Sequence, residues 1–223
     1  MEVTLILIAL FITAFASITL RIVYSIYSHK ENSSNKTGKE VAEIILHDND
    51  LDNIKVGEVS GSLSDYYSNS EEVVMLSEGI YSKSSVAAVS VAAHECGHAI
   101  QYKEGYYPIK LRNNIVPFVN FGNTLGYIAI MISLASSLTG LFTVGIILIS
   151  FAVVFQLITL PVEFDASRRG KKELVRLKLI DEDEVSGVRI MLISAAFTYV
   201  AGLISSILQI LRLILIFQNR RRD

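Results

Sequence analysis

The chain has 223 residues, 51% of them hydrophobic, with a mean hydropathy of +0.45. Soluble domains of this length are rarely so apolar, so the composition selects a membrane protein. A net charge of −2 offers no field for nucleic acid, and a single cysteine, Cys96, excludes both a disulfide framework and a paired-thiolate zinc site.

Residues 1–27 read as a first membrane helix: Val3 to Leu20 is uncharged, and the apolar run resumes after Arg21. Ala14-Phe15-Ala16 resembles a signal cleavage site. The segment before it holds Glu2 and no basic residue, which favours a retained helix over an export signal.

Residues 28–112 form the one sizeable polar segment, expected to carry the chemistry. Ser28 to Glu40 reads as a solvated linker, and its "NSS" and "NKT" triplets match glycosylation acceptors only at the level of a short pattern. Thr37 and Glu40 make a capping box for an amphipathic helix reaching about His47. Asp48 to Asp52 resembles a calcium loop, but Asn53 and Val59 stand where that loop needs Gly and Glu, so it reads as a solvated turn. Asn53–Val59 and Glu71–Gly79 read as strands. Ser84 or Ser85 caps a helix over about residues 84–103, ending near Gly105.

From Asn113 to Val162 there are 50 consecutive uncharged residues. A single helix of that length would extend about 75 Å against a bilayer core of about 30 Å, so residues 113–162 predict a membrane hairpin of two helices. Leu134 to Phe142, "LASSLTGLF", supplies the turn. Residues 163–187 are a basic loop or helix, residues 188–217 a fourth membrane helix around the uncharged Ile190–Leu211, and residues 218–223 a basic tail. The expected fold is a mainly α membrane protein with about four transmembrane helices and a small α+β catalytic segment containing a short β-sheet.

The chemistry concentrates in "VAAHECGHAI", Val91 to Ile100. Residues four apart share a helix face, so His94 and His98 can turn ring nitrogens toward one zinc ion (Zn2+). Glu95 stands beside that face, placed to take a proton from the water that zinc activates. This is the H-E-x-x-H spacing of metallopeptidases. The plain alternative, two histidines bonded to polar neighbours in a core, explains neither the glutamate nor the use of two of only four histidines. Cys96 points about 200° away and reads as packing; Gln101 shares the histidine face, with solvent or core contact as its expected job.

A third ligand is required. His29 and His47 are poorly placed for it. Glu163, the first charge after the uncharged run, is favoured over Asp165, which lies about 200° around a helix from it. Two crossings between His98 and Glu163 would return the carboxylate to the histidines' side; one crossing would separate them.

The stretches "VVMLSEGIYSKSSVAAVSVAAHECGHAIQ", "LRNNIVPFVNFGNTLG" and "VFQLITLPVEFDASRRG" resemble those of the YugP-like membrane zinc metallopeptidases, and more distantly the HtpX and CAAX-processing Ste24 peptidases. The resemblance spans nearly the whole chain. It implies a zincin-like (gluzincin) fold, one zinc ion, peptide-bond hydrolysis with Glu95 as general base, and Glu163 as third ligand. "EFDAS" keeps the E-[F/Y]-x-A-D form of the HtpX relatives, with Ser167 where Asp is usual. YugP-like chains often carry a histidine in a "DHYDP"-like segment; here "SDYYSNS" places Tyr66 there, so that segment receives no metal role.

The expected reading is a membrane-embedded zinc endopeptidase, its partners a polypeptide substrate, membrane proteins among the candidates, and the lipid bilayer. Pairing of an extended substrate with the strand around Val73 to Leu76 is expected. Tyr66, Tyr102, Tyr106 and Arg168 are the open choices for an oxyanion partner. Basic residues after Glu163, with Lys30, Lys110 and Arg112, outweigh Arg220, Arg221 and Arg222, which favours a cytoplasmic site with both termini outside; the membrane expected is the plasma membrane of a bacterium. The rivals are a non-catalytic zinc scaffold, an intramembrane metalloprotease, which would need an LDG-like motif that is absent, and a transporter, which would need ionisable residues in its spans.

Overall fold

A computed structural model describes residues 1–136 and 138–220; Ser137 in the expected hairpin turn, and Arg221 and Arg222 of the basic tail, lie outside the described residues. Long helices dominate. α1 (Glu2–Ser28), α5 (Tyr107–Ala135), α6 (Thr139–Arg176) and α7 (Glu182–Arg220) are each long and apolar enough to cross a membrane. Between α1 and α5 come α2 (Gly38–Asp48), β1 (Lys55–Val59), β2 (Tyr66–Ser68), β3 (Val73–Ser77), the short α3 (Glu78–Tyr81) and α4 (Val86–Lys103). The fold is therefore mainly helical with four candidate membrane helices and one small mixed sheet.

One unit comprises residues 18–109 and 162–196. Its local structure follows the capping chemistry. The Thr37 hydroxyl accepts from the Glu40 amide at 3.2 Å while the Glu40 carboxylate accepts from the Thr37 amide at 2.7 Å, satisfying two donors that would otherwise be orphaned at the start of α2. The Ser85 hydroxyl accepts from the Ala88 amide at 3.1 Å to open α4. Gly105, at φ +71°, closes it: the amides of Gly105 and Tyr106 donate to the carbonyls of Tyr102 and Gln101, a C-terminal cap whose left-handed position suits glycine.

α4 is buried nearly all round, so it is the core helix of this unit rather than an amphipathic surface helix. Val89, Ala92, Cys96 and Ala99 pack in one cluster with Val41 and Ile45 of α2, Val74 and Leu76 of β3, and Leu174 of α6. The Cys96 thiol donates to the Ala42 carbonyl at 3.7 Å. Burial pushes its pKa up, so it is a packing group.

The sheet order is β1-β3-β2, with β1 parallel and β2 antiparallel to β3. This corrects one expectation. Val73 to Met75 of the central strand is paired on both edges and Leu76 to β1 alone, which leaves little free edge for a substrate. β2 was not legible because three residues cannot display an alternating pattern.

The other unit comprises residues 1–17, 110–161 and 197–223. Ile130, Phe142, Ile149 and Leu213 form its small buried cluster, and the rings of Phe142 and Phe217 stack at 4.9 Å. A Cβ on Gly145 would lie 2.7 Å from the Gly126 carbonyl oxygen, so α5 and α6 cross at backbone contact, as small residues permit between membrane helices. Phe118, Phe121, Met131 and Ile147 are exposed, the apolar exterior that a lipid solvent requires.

Candidate metal centre

Two backbone contacts hold α4 against α6. A Cβ on Gly97 would lie 2.3 Å from the Ala166 carbonyl oxygen, and one on Gly170 would lie 2.3 Å from that of Ala93. Only glycine allows either approach. Together they bring Glu163 of α6 over the histidine face of α4.

There the donors converge. Glu163 Oε2 lies 3.3 Å from His94 Nε2 and 3.6 Å from His98 Nε2, and one ligand atom from each of the three residues lies within 4.8 Å of the others. Tetrahedral ligands at about 2.0–2.1 Å from zinc stand about 3.3 Å apart, a spacing that the two carboxylate–imidazole distances approach. Glu163 is 1% exposed and His98 7%, while His94 retains access from one side. Glu95, next to His94 on α4, is buried.

The rings are also oriented. Gln101 donates through Nε2 to the Val162 carbonyl at 2.8 Å and to Asp165 Oδ2 at 3.0 Å. That fixes its amide so that Oε1 faces His98 Nδ1 at 3.0 Å. An amide oxygen only accepts, so His98 carries its proton on Nδ1 and presents a bare Nε2 to the cluster. Ser167 Oγ stands 3.0 Å from His94 Nδ1 and can do the same for that ring. Gln101 is thus a positioning residue missed by the sequence reading; its i+3 spacing from His98 was the available signal.

Asp165 turns away from the histidines. Its carboxylate accepts from Gln101, Arg168 and Arg169, and Arg169 also pairs with Glu104 and lies over the Tyr106 ring. His29 bonds the Ser25 carbonyl through Nδ1 at 2.6 Å and His47 bonds Asp52 at 2.6 Å, both away from the cluster. Of the oxyanion candidates, Tyr66 is exposed, Tyr102 packs on Tyr67, Tyr106 supports Arg169 and Arg168 pairs with Asp165. Asp65, just before β2, accepts from the Ser77 amide at 2.7 Å and hydroxyl at 3.0 Å. Burial raises its pKa, with the Ser77 bonds and the nearby His94 pulling the other way.

The sequence profile of the family described as "Putative neutral zinc metallopeptidase" matches residues 2–218. The chain belongs to this family. It is also 41% identical over 215 residues to the "Putative membrane protease YugP" of Bacillus subtilis (strain 168), covering 96% of each chain. No solved structure matches it. Membership implies zinc, and the cluster of His94, His98 and Glu163 is where the described residues could hold it.

Proposed function

We propose that the chain is an integral membrane, zincin-like (gluzincin) endopeptidase, with one zinc ion on His94, His98 and Glu163 and with Glu95 as general base. The observation that carries this is the convergence of two imidazole nitrogens and a buried carboxylate oxygen, each ring held by its other nitrogen. A bound zinc ion supplies Lewis acidity toward a peptide carbonyl and lowers the pKa of water to about 7.

The protein's own groups do the rest. Gln101 and Ser167 keep both rings aimed at the ion, and Glu163 offsets part of its charge. Glu95 receives a proton from the attacking water and passes it to the leaving amine, so that the peptide bond breaks with no net change in protonation. The edge strand β2, packed on the motif helix through Tyr67 and Tyr102, offers main-chain groups for an extended polypeptide, membrane proteins included. Arg168, Arg169, Lys171, Lys172, Arg176 and Lys178 follow the carboxylate in sequence, which supports a cytoplasmic site, and the Bacillus subtilis relative supports a bacterial plasma membrane.

Metal analysis of the purified protein, paired with an assay on an unfolded membrane-protein substrate, tests the reading. The wild type should carry one zinc and cleave. Glu163→Ala should lose the metal, and Glu95→Gln should keep it and be inactive. A zinc-loaded Glu95→Gln protein that still cleaves would overturn the role of Glu95.

A further inference from the structure

Arg168, Lys171 and Arg189 converge on one cleft of about 170 Å³ whose remaining wall is mostly apolar, including Phe164, Leu192 and Ile193. No acidic side chain lines it. Arg168 shares its charge with Asp165, whereas Lys171 and Arg189 take part in none of the ion pairs among the described residues. Lys171 is half-buried, so its charge faces the cleft with reduced access to water.

The chain fixes which solvent surrounds this place. Glu163 is the first charge after 50 uncharged residues, and Arg189 is the last before the 22 uncharged residues Ile190–Leu211. The cleft therefore stands where the apolar stretches of α6 and α7 end, the level at which a bilayer presents its headgroups. Phe164 and Ile193 are 49% and 51% exposed, apolar surface that water does not favour beside three cations. A soluble anion would satisfy the cations and leave those side chains wet. An amphiphilic anion satisfies both.

We propose that this cleft binds the headgroup of an anionic phospholipid, its phosphodiester on Lys171, Arg189 and Arg168 and its acyl chain along Phe164 and Ile193. Ser167 lines the same cleft and contacts His94, so the lipid lies one side chain away from the metal cluster. The inference rests on the membrane reading and not on zinc chemistry. The inactive Glu95→Gln protein therefore serves for the test, and failure here leaves the protease reading standing.

The chain contains no tryptophan, so Phe164→Trp creates a single indole, at the cleft, that can be excited apart from the tyrosines. The full-length variant is reconstituted with lipids brominated on the acyl chain, which quench nearby indole. Phosphatidylglycerol should quench at lower mole fraction than phosphatidylcholine, and the difference should shrink as salt rises. Adding Lys171→Gln with Arg189→Gln should cut that preference roughly 10–30-fold, while Lys171→Arg with Arg189→Lys keeps it. Equal quenching by both lipids, or a preference untouched by salt, overturns the proposal even should the glutamine variant not fold. So does displacement by glycerol 3-phosphate or by an acidic peptide at concentrations matching the lipid, which would make the cleft a site for soluble phosphate or for substrate.

Discussion

Gly97 meets Ala166 backbone to backbone: a methyl group on Gly97 would stand 2.3 Å from the Ala166 carbonyl oxygen. Because the obstructing atom is main chain, α4 and α6 must part to admit it. Gly97→Ala is expected to destabilise the protein by about 1–3 kcal/mol, the usual cost of overpacking, and to lower zinc occupancy as Glu163 withdraws from the histidines. Gly170→Ala, at the reciprocal contact with Ala93, should behave alike. Thermal unfolding with metal analysis checks both; a fully loaded, equally stable Gly97→Ala protein would count against the clamp.

Gln101→Leu removes the acceptor for His98 Nδ1 and the amide donor to Val162 and Asp165. Losing such an outer hydrogen bond typically lowers metal affinity about 10–100-fold, and a zinc competition titration should find a loss in that range. Gln101→Glu keeps an acceptor and should retain more affinity than Gln101→Leu.

At Ser167 the series Ala, Ser, Asp should order zinc affinity upward. Each step gives His94 Nδ1 a stronger acceptor, ending with a carboxylate. No gain in Ser167→Asp over wild type would show that the hydroxyl at 3.0 Å is not what orients this ring.

The geometry shows which parts of the site sequence patterns expose. His94, Glu95 and His98 stand out because all three fall within little more than one helical turn. Glu163 is marked by a different signal, the end of an uncharged run, and it stands beside both imidazoles whereas Asp165 accepts from Gln101. The four long helices were equally plain. What stayed hidden depends on contacts between distant segments: the Gly97–Ala166 approach, the Gln101 amide bridging two helices, and the three-residue β2 that makes β3 a central strand. None leaves a periodicity for a single chain to display.

His47 and Asp52 offer a pH readout away from the metal. Asp52, by hydrogen bond and then by charge, raises the His47 pKa above 6.5. A raised folded-state value means that the pair favours folding below about pH 6.5 and loses that contribution as pH rises through the shifted value. The pair is fully exposed, so its weight in stability is slight. An NMR titration should place the His47 midpoint above 6.5, and Asp52→Asn should bring it back down. An unchanged midpoint in that variant would refute the pairing.

Cys96 should resist alkylation in the folded protein, because its thiol is fully buried and its pKa is pushed up by that burial. Mass spectrometry after maleimide treatment should find label only once denaturant is added. Labelling under native conditions would mean that the α2–α4 interface opens.

The order of the donors along the chain carries a consequence for synthesis. Both imidazoles leave the ribosome well before Glu163, which emerges only after α5 and the apolar part of α6 have been made. A nascent or truncated product ending short of Val162 owns two nitrogen donors and lacks the third on which the cluster relies. The full donor set is thereby deferred until the hairpin has been translated, an order fixed by the polypeptide itself.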